Sequence, residues 1–478
     1  MSFSVAILAA WIIAAVYQSA NATEYFRFDG GVATNAMGQT PADLSVPKNL
    51  AWRKELEPGH STPILEGGKL FLTSAAIDNK SISTIALDAG TGEILWRAQL
   101  AVPKIEAYHP QEGSAAMASP ASDGKRLFVF FGSHGLVCYD LNGKQLWDHA
   151  MGPFRDEYGA ASSPIVYRGQ VILNEDHDID SFVAAFDVSD GHVLWKTPRP
   201  DAVRSYATPA IWKHDGTDEL LVAGALELAG YDLENGKKLW WINGLARIVI
   251  PSPLPIGDTI YMASWAPGGD PTQRIALPSW AQALEMWDQN KDSRLTRGEI
   301  QNRDVLDRFF RMDLDQNGTL DQYEWEHHAE VFRRAENALL AVKPKGSGDL
   351  SDRAVAWKYQ RGIPYVASPV VRNGIVWLVK DGGMVTKLDA GTGQLLQMER
   401  LNAPGNYYAS PTTDGTKVYF ASEAGVVTVV SDDREWRIIS SHDFKEKINS
   451  SPIIRNGSLY IRTDKAIYCF RSPKKNAS

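Results

Sequence analysis

Cysteine is almost missing from this chain: Cys138 and Cys469 are the only two in 478 residues. A disulfide framework and a thiolate zinc site are therefore excluded as sources of stability or chemistry. Basic clusters are missing too. With a net charge of −8 and no stripe of Lys or Arg, the chain is not expected to bind nucleic acid. Beyond the N-terminus no run is apolar enough for a membrane span of about 20 residues. Gly-x-Ser-x-Gly, His-Glu-x-x-His and phosphate-loop motifs are also lacking, so no catalytic residue is assigned. What is present, 44% hydrophobic and 22% charged residues, suffices for a substantial globular core.

The one long apolar run is Val5–Val16, too short to span a bilayer. Ala20-Asn21-Ala22 follows as an Ala-x-Ala cleavage pattern, so residues 1–22 are expected to form a signal peptide, although no Lys or Arg precedes the run. No cysteine follows it for lipid attachment, so a secreted or periplasmic protein is expected. Residues 23–50, rich in Gly, Asn, Thr and Pro, read as an irregular arm.

The rest repeats itself. Ala86-Leu-Asp88-Ala-Gly90-Thr-Gly92-Glu-Ile-Leu-Trp96 reads as strand, tight turn, strand. The same pattern returns at Asp140…Gly143…Trp147, Asp187…Gly191…Trp195, Asp232…Gly236…Trp240 and, more weakly, Asp389…Gly393…Gln397. A second marker, Ser or Thr before Pro, recurs at Pro63, Pro120, Pro164, Pro209, Pro253, Pro369, Pro411 and Pro452. Most steps are near about 44 residues, and the step from Pro253 to Pro369 is about 116. Each marker precedes an apolar strand pair and usually the turn. Four short strands per unit of that length is the signature of a β-propeller blade. Ala51-Trp52-Arg53 is an orphan outer strand, and the last three strands, ending at Ala466–Phe470, lack a fourth. Joined, they complete an eighth blade. The fold class expected is all-β, an eight-bladed propeller closed by its N- and C-terminal strands.

The turn and the Ser-Pro marker together resemble the PQQ-like (quinoprotein-type, BamB-like) propeller repeat over nearly all of residues 51–472. The resemblance implies that the outer-strand tryptophans, Trp52, Trp96, Trp147, Trp195, Trp240 and Trp357, dock against the neighbouring blade. Gln397 replaces one, and Trp436 fits loosely.

The long step carries about 72 extra residues, placed at 271–337 within the fifth blade, between propeller segments 51–270 and 338–478. Here the period turns helical, with Trp280…Leu284…Trp287 and Val305-Leu306…Phe309-Phe310. Two acidic loops stand in it and resemble a pair of EF-hand calcium loops. The first offers Asp288, Asn290, Asp292, Arg294 (through its carbonyl) and Glu299; the second Asp313, Asp315, Asn317, Thr319 (carbonyl), Asp321 and Glu324. Calcium needs hard oxygen donors at these positions, a bidentate Glu at the end and a glycine at the sharp turn. Gly318 meets the last requirement, whereas Ser293 stands in the first loop, among Lys291, Arg294 and Arg297, so weaker binding is expected there. Only Ile300–Met312 separates the loops, about 20 Å of helix. One helix can then serve as exit and entry, which puts the usual face-to-face pairing of such loops in doubt.

Strand parity puts this α-helical insertion on the face that holds the residues before the markers: His60, Tyr158, Arg204, Tyr206, Tyr365, Tyr407 and Tyr408. An aromatic channel mouth overlooked by a Ca2+ module is expected. The family's quinoprotein members clamp PQQ beside adjacent cysteines; no two cysteines are adjacent here, so PQQ is not expected and the reading leans away from an enzyme. The function expected is a monomeric binding scaffold for a protein or an envelope polymer. The alternatives are a PQQ-dependent alcohol or sugar oxidoreductase, and a Ca2+-dependent binder of an envelope polysaccharide.

Overall fold

The computed structural model describes residues 40–473, apart from 77–80, 102–105, 107, 110–111, 157, 271–273 and 275. The expected signal peptide and most of the arm lie outside the described residues. The described end of the arm is irregular. Thr40 donates from its hydroxyl to Asp414 (2.5 Å), and Leu44 is buried beside Tyr419 and Val429.

Eight antiparallel sheets follow one another around a ring. The first blade is built from Ile64–Glu66, Lys69–Ala75, Ser81–Asp88 and Ile94–Ala101, paired in sequence order. Inner strands are apolar on both faces because each is sandwiched between neighbouring blades. Outer strands alternate, as Ile94–Ala101 does, because one face meets water. In the eighth blade the outer strand is Leu50–Glu55, antiparallel to Ala466–Arg471, with Trp52 opposite Cys469 and Arg53 opposite Tyr468. The N-terminal strand thus closes the ring. Cys138 and Cys469 are buried thiols in third strands, pushed up by burial, Cys138 to about 12.

The repeated turn works as its residues dictate. The Asp88 carboxylate accepts from the N–H groups of Gly90 and Thr91, both at 2.8 Å, which holds its pKa below the usual range. Gly92 takes φ +78°, and a Cβ there would stand 2.5 Å from the Trp52 ring. Glycine therefore serves both the turn and the approach of the neighbouring tryptophan. The Trp52 indole N–H donates to the Ala89 carbonyl of the next blade (3.2 Å). Trp96 reaches Leu141 (3.1 Å), Trp147 Val188 (3.1 Å), Trp195 Leu233 (3.0 Å) and Trp357 Ala390 (3.1 Å).

Two positions depart from the pattern. Trp240 does not reach the next blade. Its indole donates to Glu219 (2.6 Å) within its own sheet and its ring meets Trp212 edge-on, because the fifth blade has no Asp-x-x-x-Gly turn to receive it. A short strand from the fifth blade's connection, Gly348–Asp349, pairs in parallel with the fourth blade's outer strand, Lys238–Asn243, instead. Where Gln397 replaces tryptophan, buried Lys387 crosses the gap and donates to the carbonyls of Asp433 (2.7 Å) and Arg434 (2.9 Å).

The Ser/Thr-Pro markers form a belt. The N–H of Thr62 donates to the Ser119 hydroxyl (3.0 Å), Ser119 to Ser163 (3.0 Å) and Ser163 to Thr208 (3.1 Å). Ser252 donates to Ser368 (3.1 Å), Ser368 to Ser410 (3.0 Å), Ser410 to Ser451 (2.9 Å), and Ser451 back to Thr62 (3.1 Å). A hydroxyl is needed as acceptor for each inner-strand amide, and the proline that follows cannot compete as a donor.

The insertion interrupts the fifth blade between Thr259–Ser264 and Ala338–Val342. It contains α1 (Trp280–Trp287), α2 (Arg303–Leu306), α3 (Phe309–Met312) and α4 (Gln322–Arg334). Ser279 caps α1 and Asp321 caps α4, each with a reciprocal capping box. Trp280, Trp287, Leu295, Phe309, Leu320 and Trp325 make a core of its own.

Candidate functional site: the acidic loops and the channel mouth

The two acidic loops do face one another. Leu295 pairs with Leu320 and Thr296 with Thr319 in a short antiparallel bridge. The doubt drawn from the short connection is thereby removed, because the chain between the loops breaks into α2 and α3 instead of running as one helix.

Within the second loop Asp313, Asp315 and Glu324 each bring one carboxylate oxygen within 4.8 Å of the others. The loop's own amides orient them: Asp313 accepts from Asn317 (3.0 Å) and Gly318 (2.9 Å), and Glu324 from Leu314 (2.8 Å) and Asp321 (3.1 Å). Asn317 accepts from Thr319 N–H (2.8 Å), and Asp321 from Glu324 N–H (3.0 Å). Gly318 takes φ +87°. Burial raises the Glu324 carboxyl, a cost that a bound cation would offset.

The first loop repeats this frame. Asp288 accepts from Ser293 N–H (3.0 Å) and Asp292 from Arg294 N–H (2.8 Å); Glu299 accepts from Thr296 (2.9 Å) and Gln289 (3.3 Å). Asn290 bonds Asp292 (2.9 Å). Ser293 occupies the glycine position at φ +61°, a strain of about 1–2 kcal/mol for a residue with a Cβ. The Asp288 Oδ1 atom is buried without a hydrogen-bond partner. The Arg294 guanidinium reaches across to the Thr319 hydroxyl (3.2 Å).

The insertion sits on the face that carries the marker loops. Arg155 donates to the backbone oxygen of Asp315, Arg204 lies over the Phe310 ring (5.7 Å) and Arg247 over Phe332 (5.3 Å). Beside this contact a buried ionic cluster lies where the second and third strands of the third blade connect. His177 stands between Asp156 (3.4 Å) and Glu175 (3.2 Å), with Phe154 stacked on it at 4.0 Å. Tyr206 donates to Asp156, Arg204 grips Asp178 with two nitrogens, and Arg199 does the same to Asp176 (2.7 and 3.0 Å). Burial alone would lower the His177 pKa, but hydrogen bonds to Asp156 and Glu175 outweigh it and raise it to about 10. Burial raises Glu175 to about 7 and raises Asp156 as well.

At the ring axis lies a cavity of about 110 Å³. One residue from each blade lines it, always three positions before the marker proline: His60, Met117, Ala161, Tyr206, Ile250, Val366, Tyr408 and Asn449. Tyr158, Tyr365, Glu112 and the marker serines Ser252, Ser368 and Ser410 complete the wall, and Tyr158 shares a hydrogen bond with Tyr365. Of the mouth residues expected from sequence, His60, Tyr158, Tyr206, Tyr365 and Tyr408 are present. Arg204 and Tyr407 are not: the first is drawn to Asp178, and the second is buried with its hydroxyl on the Ala403 carbonyl (2.8 Å). Sequence reasoning missed the eightfold register of the mouth, although the marker spacing held it. It also missed the ionic cluster, whose signal was the run Glu175-Asp176-His177-Asp178 closing an apolar strand.

This architecture, eight blades around a hydroxyl belt, most of them stapled by Asp-Gly turns and tryptophans, defines a PQQ-like repeat propeller. The chain belongs to the family described as outer membrane protein assembly factor BamB, whose profile matches residues 42–152, 80–246 and 331–476. A quinohemoprotein alcohol dehydrogenase, ADH IIB of Pseudomonas putida, is 26% identical over 56% of this chain and 40% of its own length. The assembly factor BamB of Salmonella typhimurium is 26% identical over 20% of this chain and 23% of its own length. The chain thus spans less than half of either relative. BamB of Moraxella catarrhalis shares the fold at a TM-score of 0.56 and 13% identity, covering 88% of this chain and 99% of that one. Among the described residues no helix is long and apolar enough to cross a membrane.

Proposed function

We propose that this chain is an exported, non-catalytic binding scaffold of the cell envelope that holds Ca2+ in its acidic loops. Membership of the BamB family carries the scaffold reading, with a protein or envelope polymer as partner. The N-terminal apolar run with its Ala-x-Ala sequence supports export. The Ca2+ reading rests on donor chemistry. The second loop gathers the carboxylates of Asp313, Asp315 and Glu324, with Asn317, the Thr319 carbonyl and Asp321 beside them, an all-oxygen set that suits a hard cation. The first loop, Asp288, Asn290, Asp292, Arg294 and Glu299, would bind more weakly because Lys291, Arg294 and Arg297 add positive charge and Ser293 adds strain.

Calcium titration by calorimetry tests this. The wild type is expected to bind, and Asp313→Ala with Glu324→Ala to lose more than about tenfold in affinity at the second loop, since two anionic ligands go. Unchanged affinity in that double variant would sink the metal assignment.

A quinone-dependent oxidoreductase is the second reading, favoured by the likeness to the Pseudomonas putida enzyme. Against it stand a mouth whose described lining carries no Lys or Arg to hold an anionic quinone, and the lack of adjacent cysteines. Dye-linked oxidation of an alcohol or sugar by PQQ-loaded protein would reverse the ranking. A Ca2+-dependent polysaccharide binder, using the mouth tyrosines as stacking platforms, is the third.

A further inference from the structure

The register that builds the mouth repeats eight times, but its side chains are not alike. Met117, Ala161, Ile250 and Val366 give alkyl surface on one side, and Tyr408, Asn449 and His60 give a polar arc from three consecutive blades. Tyr158, Tyr206, Tyr365 and Tyr408 add aromatic rings from four different blades. Tyr158 and Tyr206 meet edge-on at 5.9 Å, and Tyr365 meets Trp265 edge-on at 5.6 Å, so the rings are fixed by their neighbours. Tyr206 is further anchored by its hydroxyl on Asp156. Aromatic rings around a small cavity attract a cation through their quadrupoles, and the attraction grows as the site is desolvated.

The charges agree. Among the described lining residues Glu112 is the one with a carboxyl side chain, and no Lys or Arg lines the cavity with it. His60 is held neutral at physiological pH: burial, helped by nearby Arg462, pushes it down to about 4, and its Nε2 is engaged by the Asn449 amide (2.8 Å). The Tyr408 phenol is pushed up by burial and then by Glu112, Glu423 and Asp381, which marks a field that favours positive charge. The cations behind the wall all have hydrogen-bond partners, of which only that of Lys447 is a carboxylate, so Arg247 and Arg462 keep their charge. Arg462 donates to the Ser61 (2.9 Å) and Thr73 (2.6 Å) carbonyls, Lys447 to Glu423 (2.9 Å), and Arg247 to the Pro267 carbonyl (2.9 Å).

We propose that the channel mouth binds a small organic ammonium, its charge facing Glu112 and the tyrosine rings and its alkyl groups lying against Met117, Ile250 and Val366. This goes beyond the scaffold reading and is independent of calcium. It also gives the mouth a selectivity opposite to that required by an anionic quinone.

Choline and its neutral isostere 3,3-dimethylbutan-1-ol distinguish charge from shape. In calorimetric titrations of the mature protein, choline is expected to bind, and the alcohol to bind on the order of tenfold more weakly or not at all. Glu112→Gln and, separately, Tyr408→Leu are each expected to weaken choline on the order of tenfold while the thermal midpoint stays within a few degrees. Chelation of calcium is expected to leave choline affinity unchanged, so failure of the metal assignment and failure of this proposal are separable. Equal binding of choline and the alcohol, choline affinity untouched by Glu112→Gln, or no choline binding at millimolar concentration would each overturn it.

Discussion

Trp195→Ala is expected to lower the unfolding free energy by about 3–5 kcal/mol, read from urea denaturation. The ring is buried against the turn of the next blade, its indole N–H bonds the Leu233 carbonyl at 3.0 Å, and Gly236 leaves it room by having no Cβ. Removing it opens a cavity between two blades and leaves the Leu233 carbonyl without its donor. Leu194, the preceding residue on the same outer strand, is exposed, and Leu194→Ala is expected to cost less than about 0.5 kcal/mol. If the two variants prove equally stable, the stapling role is wrong. Gly236→Ala tests the same contact from the other side. Its φ of +70° is unfavourable for alanine and its Cβ would fall 2.3 Å from the Trp195 ring.

His177→Gln is expected to be comparably damaging, about 3–5 kcal/mol at neutral pH, because it leaves Asp156 and Glu175 buried without the cation between them. The pH dependence is the sharper test. His177 titrates higher folded, at about 10, than unfolded, so its contribution is complete below the unfolded value near 6.5 and is lost as pH rises through 10. Glu175 also titrates higher folded, at about 7, so the folded state keeps that proton longer and its contribution falls between about 4.5 and 7. Both slopes have the same sign. Below about pH 6.5 the slope from Glu175 is opposed by His60 and His328, which burial pushes down to about 4 and about 3; from pH 7 to 10 wild-type stability is expected to decline, and His177→Gln to lose that decline. A stability profile flat from pH 7 to 10 in the wild type would show that the imidazole is not held as a cation.

The ring was legible because most blades write the same local chemistry: an Asp that caps a turn, a glycine where φ must be positive, a tryptophan that needs a neighbour. Counting markers therefore gave the blade number, and the orphan Trp52 strand gave the closure. The acidic loops were legible for the same reason, since ligand spacing within one short segment is a local property. What the sequence hid was non-local. Nothing in Lys387 announces that it stands in for the tryptophan missing at Gln397 on the adjacent strand, and nothing in Trp240 announces that its expected receiver is missing from the fifth blade. The Ser-Pro marker was readable as a count but not as a hydrogen-bonded belt, because the partner of each hydroxyl is a whole blade distant. The ionic cluster around His177 drew Asp156, Glu175 and Tyr206 from three separate segments, and only folding brings them together.

The eighth blade takes its outer strand from the N-terminal side of the ring, so the first strand among the described residues pairs with the last. During synthesis Leu50–Glu55 has no sheet to join until Ala466–Arg471 has emerged, and until then it is an open edge of the kind that recruits stray strands. Closure of the ring thus waits on synthesis of Ala466–Arg471. A chain cut short before residue 466 would lose not one blade's worth of stability but the lock on the whole circle, and would present two unpaired edges to quality-control proteases.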